Sequence, residues 1–330
     1  MDYNQGHVTS ESIPQDIEIP TALIHEDADT QASQALNWSV NEIEFFKING
    51  YILKRGVIQD ETLFTQVIDH LWANVPRDVI QRDNPDTWFN KPHERWTQED
   101  HEKVGLLAHG NWKMRSRGPH GIGTEPFLVE KIANHPNLLK LVEGLIGKPL
   151  KPVQRVRGVY AVLPKPSHAR GRYGPHADYA AGQLGAMVIV DKMPAGSGGF
   201  TVWPGSHQHL HPHWDTCLGS AISDEKREGY RQARNDVLRE VTPVETAGMP
   251  GDVIFWHHRL LHSVGINNTA DWEQPLVRVI VPCDYQRGDM TFYDDLEYGP
   301  GPDFQWWLDT RNFREDEPPT ATNLWRHWAI

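Results

Sequence analysis

The sequence predicts a mostly β fold with α-helices, in which a helical front half packs against a β sandwich or barrel. Three observations predict it. Apolar residues recur at helical spacing between about 39 and 147, and short β-type runs separated by Gly/Pro punctuation follow from 153 to 283. Nowhere does an uninterrupted apolar run approach the roughly 20 residues of a membrane helix.

The elements follow in order. Residues 1–35 are polar, acidic and unpatterned, which predicts a flexible N-terminal arm; residues 36–330 are expected to form a single domain. Ser39-Val-Asn-Glu42 reads as a capping box opening a helix over Ile43, Phe45 and Phe46, with Gly50 as its stop. Tyr51 to Val57 reads as a short strand. A second helix starts near Asp60, because Leu63, Phe64, Val67, Ile68, Leu71 and Trp72 share one face.

From about 76 to 122 no period is sustained, and the chain reads as a long loop region with short helices. Glu125 to Gly147 returns to helical patterning through Phe127, Leu128, Ile132, Leu138, Leu141, Val142 and Leu145. Strands are then predicted at Val153–Leu163, Gly185–Val190, Phe200–Trp203, Asp252–Trp256 and Leu276–Cys283. Between the third and fourth, about 220–240, lies a charged insert read as a solvated helix. The C-terminal extension is rich in tryptophan.

Composition narrows the function. Asp and Glu number 44 against 32 Lys and Arg, a formal charge of −12, which argues against a nucleic-acid or anionic-membrane surface. Only Cys217 and Cys283 are present, too few for a disulfide framework or a Cys-rich zinc site, so a cytoplasmic location is expected. The first twenty residues carry neither a basic start nor an apolar stretch, so no cleavable signal is expected. Against that bland background, 18 histidines and 13 tryptophans direct attention to metal ligands and aromatic pockets.

Gly174-Pro-His176-Ala-Asp178 is the most informative segment, because residues i and i+2 of an extended chain project to the same side. A histidine and a carboxylate could there grip one metal ion. The segment from Gly251 to Asn267 supplies another histidine, His262, just after a buried strand. Two histidines and one carboxylate form the facial triad of non-haem Fe(II) oxygenases. Further on, Arg278 sits inside the apolar run Leu276-Val-Arg-Val-Ile-Val281, and a buried guanidinium requires an anionic partner, for which a carboxylate is the geometric match. The distal carboxylate of 2-oxoglutarate is such a partner.

The order of Ser39 to Tyr51, His176-Ala-Asp178, Gly198-Gly199, Pro204-Gly-Ser-His207, Ala247-Gly-Met-Pro-Gly-Asp252, His262, Asn267 and Arg278 resembles the phytanoyl-CoA dioxygenase family of Fe(II)/2-oxoglutarate oxygenases, over roughly residues 38–288. The resemblance implies a double-stranded β-helix, a jelly-roll, cupin-like core with flanking helices. It implies His176, Asp178 and His262 as catalytic metal ligands and Arg278 as the 2-oxoglutarate anchor, with Gln154, Arg157 and Tyr160 as candidates for the C1 carboxylate. Spacing to Ser263 and Asn267 favours His262 over His257 and His258 as the distal ligand.

The implied cofactors are Fe(II), the co-substrate 2-oxoglutarate and O2, and the implied partner is a small-molecule substrate, in keeping with secondary metabolism. Because Asp178 is retained where related halogenases carry a small residue, hydroxylation or a related oxidation is expected. A catalytically silent jelly-roll binding protein and a cupin-like metal enzyme independent of 2-oxoglutarate are the competing readings. Of the remaining motifs, His207, His209, His211 and His213 alternate in what reads as a surface loop after a Pro-Gly turn. Trp88, Phe89, Trp96 and Trp112, and Trp306, Trp307, Phe313, Trp325 and Trp328, could each close over a site or simply pack.

Overall fold

Along the last long strand, alternate side chains enter two different cores. Val279, Val281, Cys283 and Tyr285 join a large cluster containing Phe46, Leu63, Leu71, Leu138 and Leu145, whereas Ile280 joins a smaller one containing Phe200, Val202, Ile254 and Trp256. A two-residue side-chain period on a sheet buried on both faces produces this division. In the computed structural model, residues 13–25, 36–89, 92–97, 99–100, 106–108, 111–115, 122–169, 173–177, 183–213, 224–289 and 324–330 are described.

Eleven strands are described among them: β1 Leu23–Ile24, β2 Tyr51–Lys54, β3 Leu106–Ala108, β4 Asn111–Arg115, β5 Gly158–Val162, β6 Leu184–Ile189, β7 Phe200–Val202, β8 Val244–Glu245, β9 Val253–His257, β10 His262–Val264 and β11 Arg278–Tyr285. They form a four-stranded sheet in the order β1-β8-β7-β10 and a seven-stranded sheet in the order β2-β9-β6-β11-β5-β4-β3. The smaller core lies between the two sheets, and helices cover the outer face of the larger sheet. This is a mostly β, double-stranded β-helix fold with flanking helices.

Local chemistry explains the helix boundaries. Ser39 accepts from the Glu42 N–H at 3.2 Å while Glu42 accepts from the Ser39 N–H at 2.7 Å, and the helix Val40–Asn49 ends at Gly50 with left-handed backbone. Asp60 caps the helix Glu61–Ala73 through the Leu63 N–H, and that helix buries Leu63, Phe64, Val67 and Leu71. Each fully buried side chain of this kind contributes about 2 kcal/mol.

The structure differs from the sequence expectations in several places. Glu125 to Gly147 is not one helix: a turn at Pro126–Leu128 and a π-helical stretch Val129–Ala133 precede a separate helix Pro136–Ile146. Pro136 has no N–H and holds His135 extended, which breaks the ladder. The strand expected from Val153 begins only at Gly158. The β5–β11 ladder covers Arg278 to Ile280 only, and beyond it the Arg157 N–H donates to the Pro282 carbonyl at 3.0 Å.

The stretch expected as loops and short helices also holds the β3–β4 hairpin. Residues 13–25, read as part of a flexible arm, bury Ile17 and supply β1, which runs parallel to β8. The charged insert forms the helix Asp224–Glu240, but it is not solvated all round: Tyr230, Arg234, Val237 and Leu238 are buried, the apolar ones against Trp203 and Leu261. Among the described residues no helix is long and apolar enough to cross a membrane.

Candidate active site

β10 is short and pairs with β7, so that His262 lies opposite Val202. On its other side His262 meets His176 in an isolated antiparallel bridge, with both N–H to carbonyl bonds at 2.9 Å. The Gly174 N–H, donating to the Ser263 hydroxyl at 2.9 Å, fixes the approach to that bridge. The two imidazole centroids are consequently 4.6 Å apart.

Each ring is oriented by its own backbone. Nδ1 of His176 lies 2.8 Å from the Gly174 carbonyl and Nδ1 of His262 lies 2.9 Å from the Leu260 carbonyl. A carbonyl can only accept, so each Nδ1 carries the hydrogen and each Nε2 carries the lone pair, the tautomer a metal ligand needs. Phe200 at 5.0 Å and Trp256 at 5.9 Å from the His262 ring form an apolar wall beside the pair. Asp178 lies outside the described residues. Among the described residues no three His, Cys, Asp or Glu side chains form a metal-holding group, so the donor set seen is the two imidazoles, ligands that iron accepts along with zinc, copper and nickel.

The neighbouring histidines face elsewhere. Nδ1 of His257 accepts from the Arg259 N–H at 3.0 Å, and the ring stacks on Trp328 at 5.2 Å. His258 bonds through Nδ1 to the Gln183 carbonyl at 3.1 Å. The 207–213 segment is not a surface loop: Ser206–Leu210 is helical, and His207 and His211 are buried beside His257. Burial pushes His207 down to about 4 and His211 down to about 3, so this cluster is neutral. Trp325 and Trp328 pack over it and over Phe46, and Trp88 and Trp96 belong to the large core; Trp306, Trp307 and Phe313 lie outside the described residues.

Arg278 opens β11 and is buried at 2% exposure. Its Nε–H donates to the Gly198 carbonyl at 2.9 Å, and its Nη1 meets no hydrogen-bond partner. Burial lowers its pKa to about 9, with Glu245 opposing the shift. A guanidinium so placed is completed by an anion, and the carboxylate of 2-oxoglutarate fits that requirement.

The three further candidates have different surroundings. Arg157 is held by Asp284 in a bidentate pair at 2.7 and 2.5 Å and lies 5.8 Å from the Trp256 ring centre. Tyr160 is half-buried beside the core between the sheets, opposite Ile280. Gln154 is exposed on the irregular segment before β5. Sequence reasoning missed Glu245, whose Oε1 accepts from the Gly196 and Gly199 N–H groups at 3.2 and 2.9 Å. One acidic residue among 44 offered no signal of its own.

The family model described as phytanoyl-CoA dioxygenase matches residues 46–274, well over half of the chain. The chain belongs to the phytanoyl-CoA dioxygenase family. A curated relative from Caenorhabditis elegans, "Probable phytanoyl-CoA dioxygenase", is 25% identical over 189 residues, which is 52% of this chain and 55% of the relative. The match thus spans about half the length of that relative.

Two solved structures are similar to this chain to different degrees. EctD from S. alaskensis, with 2-oxoglutarate and 5-hydroxyectoine, aligns over 93% of this chain and 95% of its own at 16% identity and a TM-score of 0.50. SnoK, a non-heme alpha ketoglutarate dependent carbocyclase from nogalamycin biosynthesis, aligns over 85% and 95% at 17% identity and a TM-score of 0.48. At 16% identity the likeness to EctD concerns the fold alone.

Proposed function

We propose that this member of the phytanoyl-CoA dioxygenase family is an Fe(II)- and 2-oxoglutarate-dependent oxygenase that hydroxylates, or otherwise oxidises, a small molecule while 2-oxoglutarate is converted to succinate and CO2. One observation carries the reading: a buried Arg278 with an unpartnered Nη1 stands in the same barrel as a pair of imidazoles whose Nε2 lone pairs are set by backbone carbonyls. Family membership supports it.

In this reading His176, Asp178 and His262 hold the iron, which supplies the activation of dioxygen. Arg278 receives the distal carboxylate of 2-oxoglutarate and fixes its orientation by a charge-assisted contact. Gln154, Arg157 and Tyr160 are the candidates for the other end of the co-substrate, and of these Arg157 already has the Asp284 carboxylate. Phe200 and Trp256 exclude water from the reacting face. We read residues 36–330 as one catalytic domain working in the cytoplasm on a small substrate rather than on nucleic acid or a membrane, in line with its charge of −12.

The test is an anaerobic titration of the purified protein with Fe(II) and then 2-oxoglutarate, following the visible metal-to-ligand charge-transfer band. The band appears in the wild type and is absent from His262→Ala. Iron binding without a band would overturn the reading in favour of a cupin-like enzyme or a silent binding protein.

A further inference from the structure

We propose that Glu245 is a positioning residue for co-substrate binding: it holds the Gly196–Gly199 turn whose Gly198 carbonyl orients the Arg278 guanidinium. The inference rests on the reading of Arg278 as the 2-oxoglutarate anchor and deepens it.

The bonding runs through the turn from one strand to another. From β8, Oε1 of Glu245 accepts the Gly199 N–H at 2.9 Å and the Gly196 N–H at 3.2 Å. Between those anchored groups, the Gly198 carbonyl accepts the Nε–H of Arg278 at 2.9 Å. A guanidinium is planar, so fixing Nε fixes the plane in which the remaining N–H groups can meet a carboxylate in bidentate fashion.

The shape of the turn is set jointly by its glycines and by bonds from other segments, among them the Gly265 N–H to the Gly199 carbonyl at 2.9 Å. Gly198 has φ +86°, and a Cβ there would come within 3.2 Å of the Asn267 and Gly265 backbone, so the carbonyl is set by a conformation that other residues resist. The far side of the turn is tied by the Asn268 N–H to the Gly196 carbonyl at 2.8 Å and by Ser197 to the Pro194 carbonyl at 2.6 Å. Neither bond reaches the N–H of Gly199, the residue next to the orienting carbonyl. Glu245 provides that hold.

Burial favours protonation of Glu245, while the N–H groups and the Arg278 charge oppose it. A carboxylate near Arg278 also supplies counter-charge to a buried guanidinium. Hold on the turn and charge are therefore separable by substitution. Glutamine keeps an acceptor oxygen without the charge; alanine removes both; aspartate keeps the charge but is one methylene short of the turn.

The experiment measures 2-oxoglutarate affinity by titration calorimetry on the full chain loaded with Mn(II), with Mn(II) affinity measured separately. Glu245→Ala weakens 2-oxoglutarate binding by about tenfold, the scale seen when an orienting partner is removed, and leaves Mn(II) affinity unchanged. Glu245→Gln stays within about threefold of wild type. Glu245→Ala binding like wild type, or Glu245→Gln binding as weakly as Glu245→Ala, overturns the proposal. If Glu245→Ala does not fold, Glu245→Asp decides: it weakens binding if the turn must be held, and wild-type affinity there overturns the proposal. A wild-type protein that binds no 2-oxoglutarate overturns the anchor reading and this inference together, whereas binding insensitive to Glu245 overturns this inference alone.

Discussion

His176 and His262 exchange both main-chain hydrogen bonds at 2.9 Å, and this single bridge brings their rings to a 4.6 Å separation. Register is therefore the organising device of the site. A one-residue slip of an extended chain turns a side chain to the opposite face, so the bridge determines which histidines meet. His257, five positions earlier, points into the layer of Phe46, Trp325 and Trp328 instead.

Substitution separates these histidines by function. His176→Ala and His262→Ala are expected to abolish stoichiometric Fe(II) binding in an anaerobic titration, whereas His257→Phe keeps it. Unchanged iron binding in His262→Ala would remove that residue from the metal set.

The arginines rank by what already surrounds them. Arg278→Ala is expected to weaken 2-oxoglutarate binding by at least about a hundredfold, equivalent to about 2.7 kcal/mol, with Fe(II) affinity near normal. Arg157→Met is expected to change it much less, because the Asp284 carboxylate occupies two of its N–H groups. The reverse ranking in equilibrium dialysis would place the anchor at Arg157.

Removing Asp284 is a matter of stability. Asp284→Ala takes away the bidentate partner of a guanidinium that is 9% exposed and costs about 3 kcal/mol or more. The double change Arg157→Met with Asp284→Leu is expected to recover most of that in urea unfolding. Equal losses in the single and double variants would contradict the account.

The buried histidines predict acid lability. Their folded-state pKa values, about 4 for His207 and about 3 for His211, lie below the ordinary 6.5, so the unfolded chain takes up protons first as the pH falls. Stability is complete above about pH 6.5 and declines below it, until about pH 4 for His207 and about pH 3 for His211. At pH 5 the loss is about 2 kcal/mol per histidine. His211→Leu is expected to narrow the difference in unfolding free energy between pH 7.5 and pH 5 by about that amount, and an unchanged difference would count against a neutral buried His211.

Much of this was legible in the sequence because local signals and tertiary structure agree. The Ser39–Glu42 box, the Asp60 cap and the β-type runs around Met187, Phe255 and Val281 all mark real elements. His176 and His262 could be paired from their motifs, and Arg278 stood out as a cation in an apolar run. What failed depends on distant neighbours. The π-helical break before Pro136 is set by a proline whose effect falls on other residues, and the start of β5 at Gly158 follows its pairing with β4. His207 and His211 alternate like a solvated strip, yet they are buried where His257 and Trp325 meet them. Tyr230, Arg234, Val237 and Leu238 carried helical spacing that the surrounding charges obscured.

The parallel pairing of Leu23–Ile24 with Val244–Glu245 joins segments separated by most of the chain. Loop-closure entropy makes such a contact slow to form, so β1 is expected to dock late, after β8, β7 and β10 have paired. Until then Val244 and Glu245 present bare N–H and carbonyl groups along an open strand edge, the kind of template on which chains aggregate. The two residues of β1 thus act as an edge guard, and a chain that lacks them exposes, on the same strand, the residue that steadies Arg278.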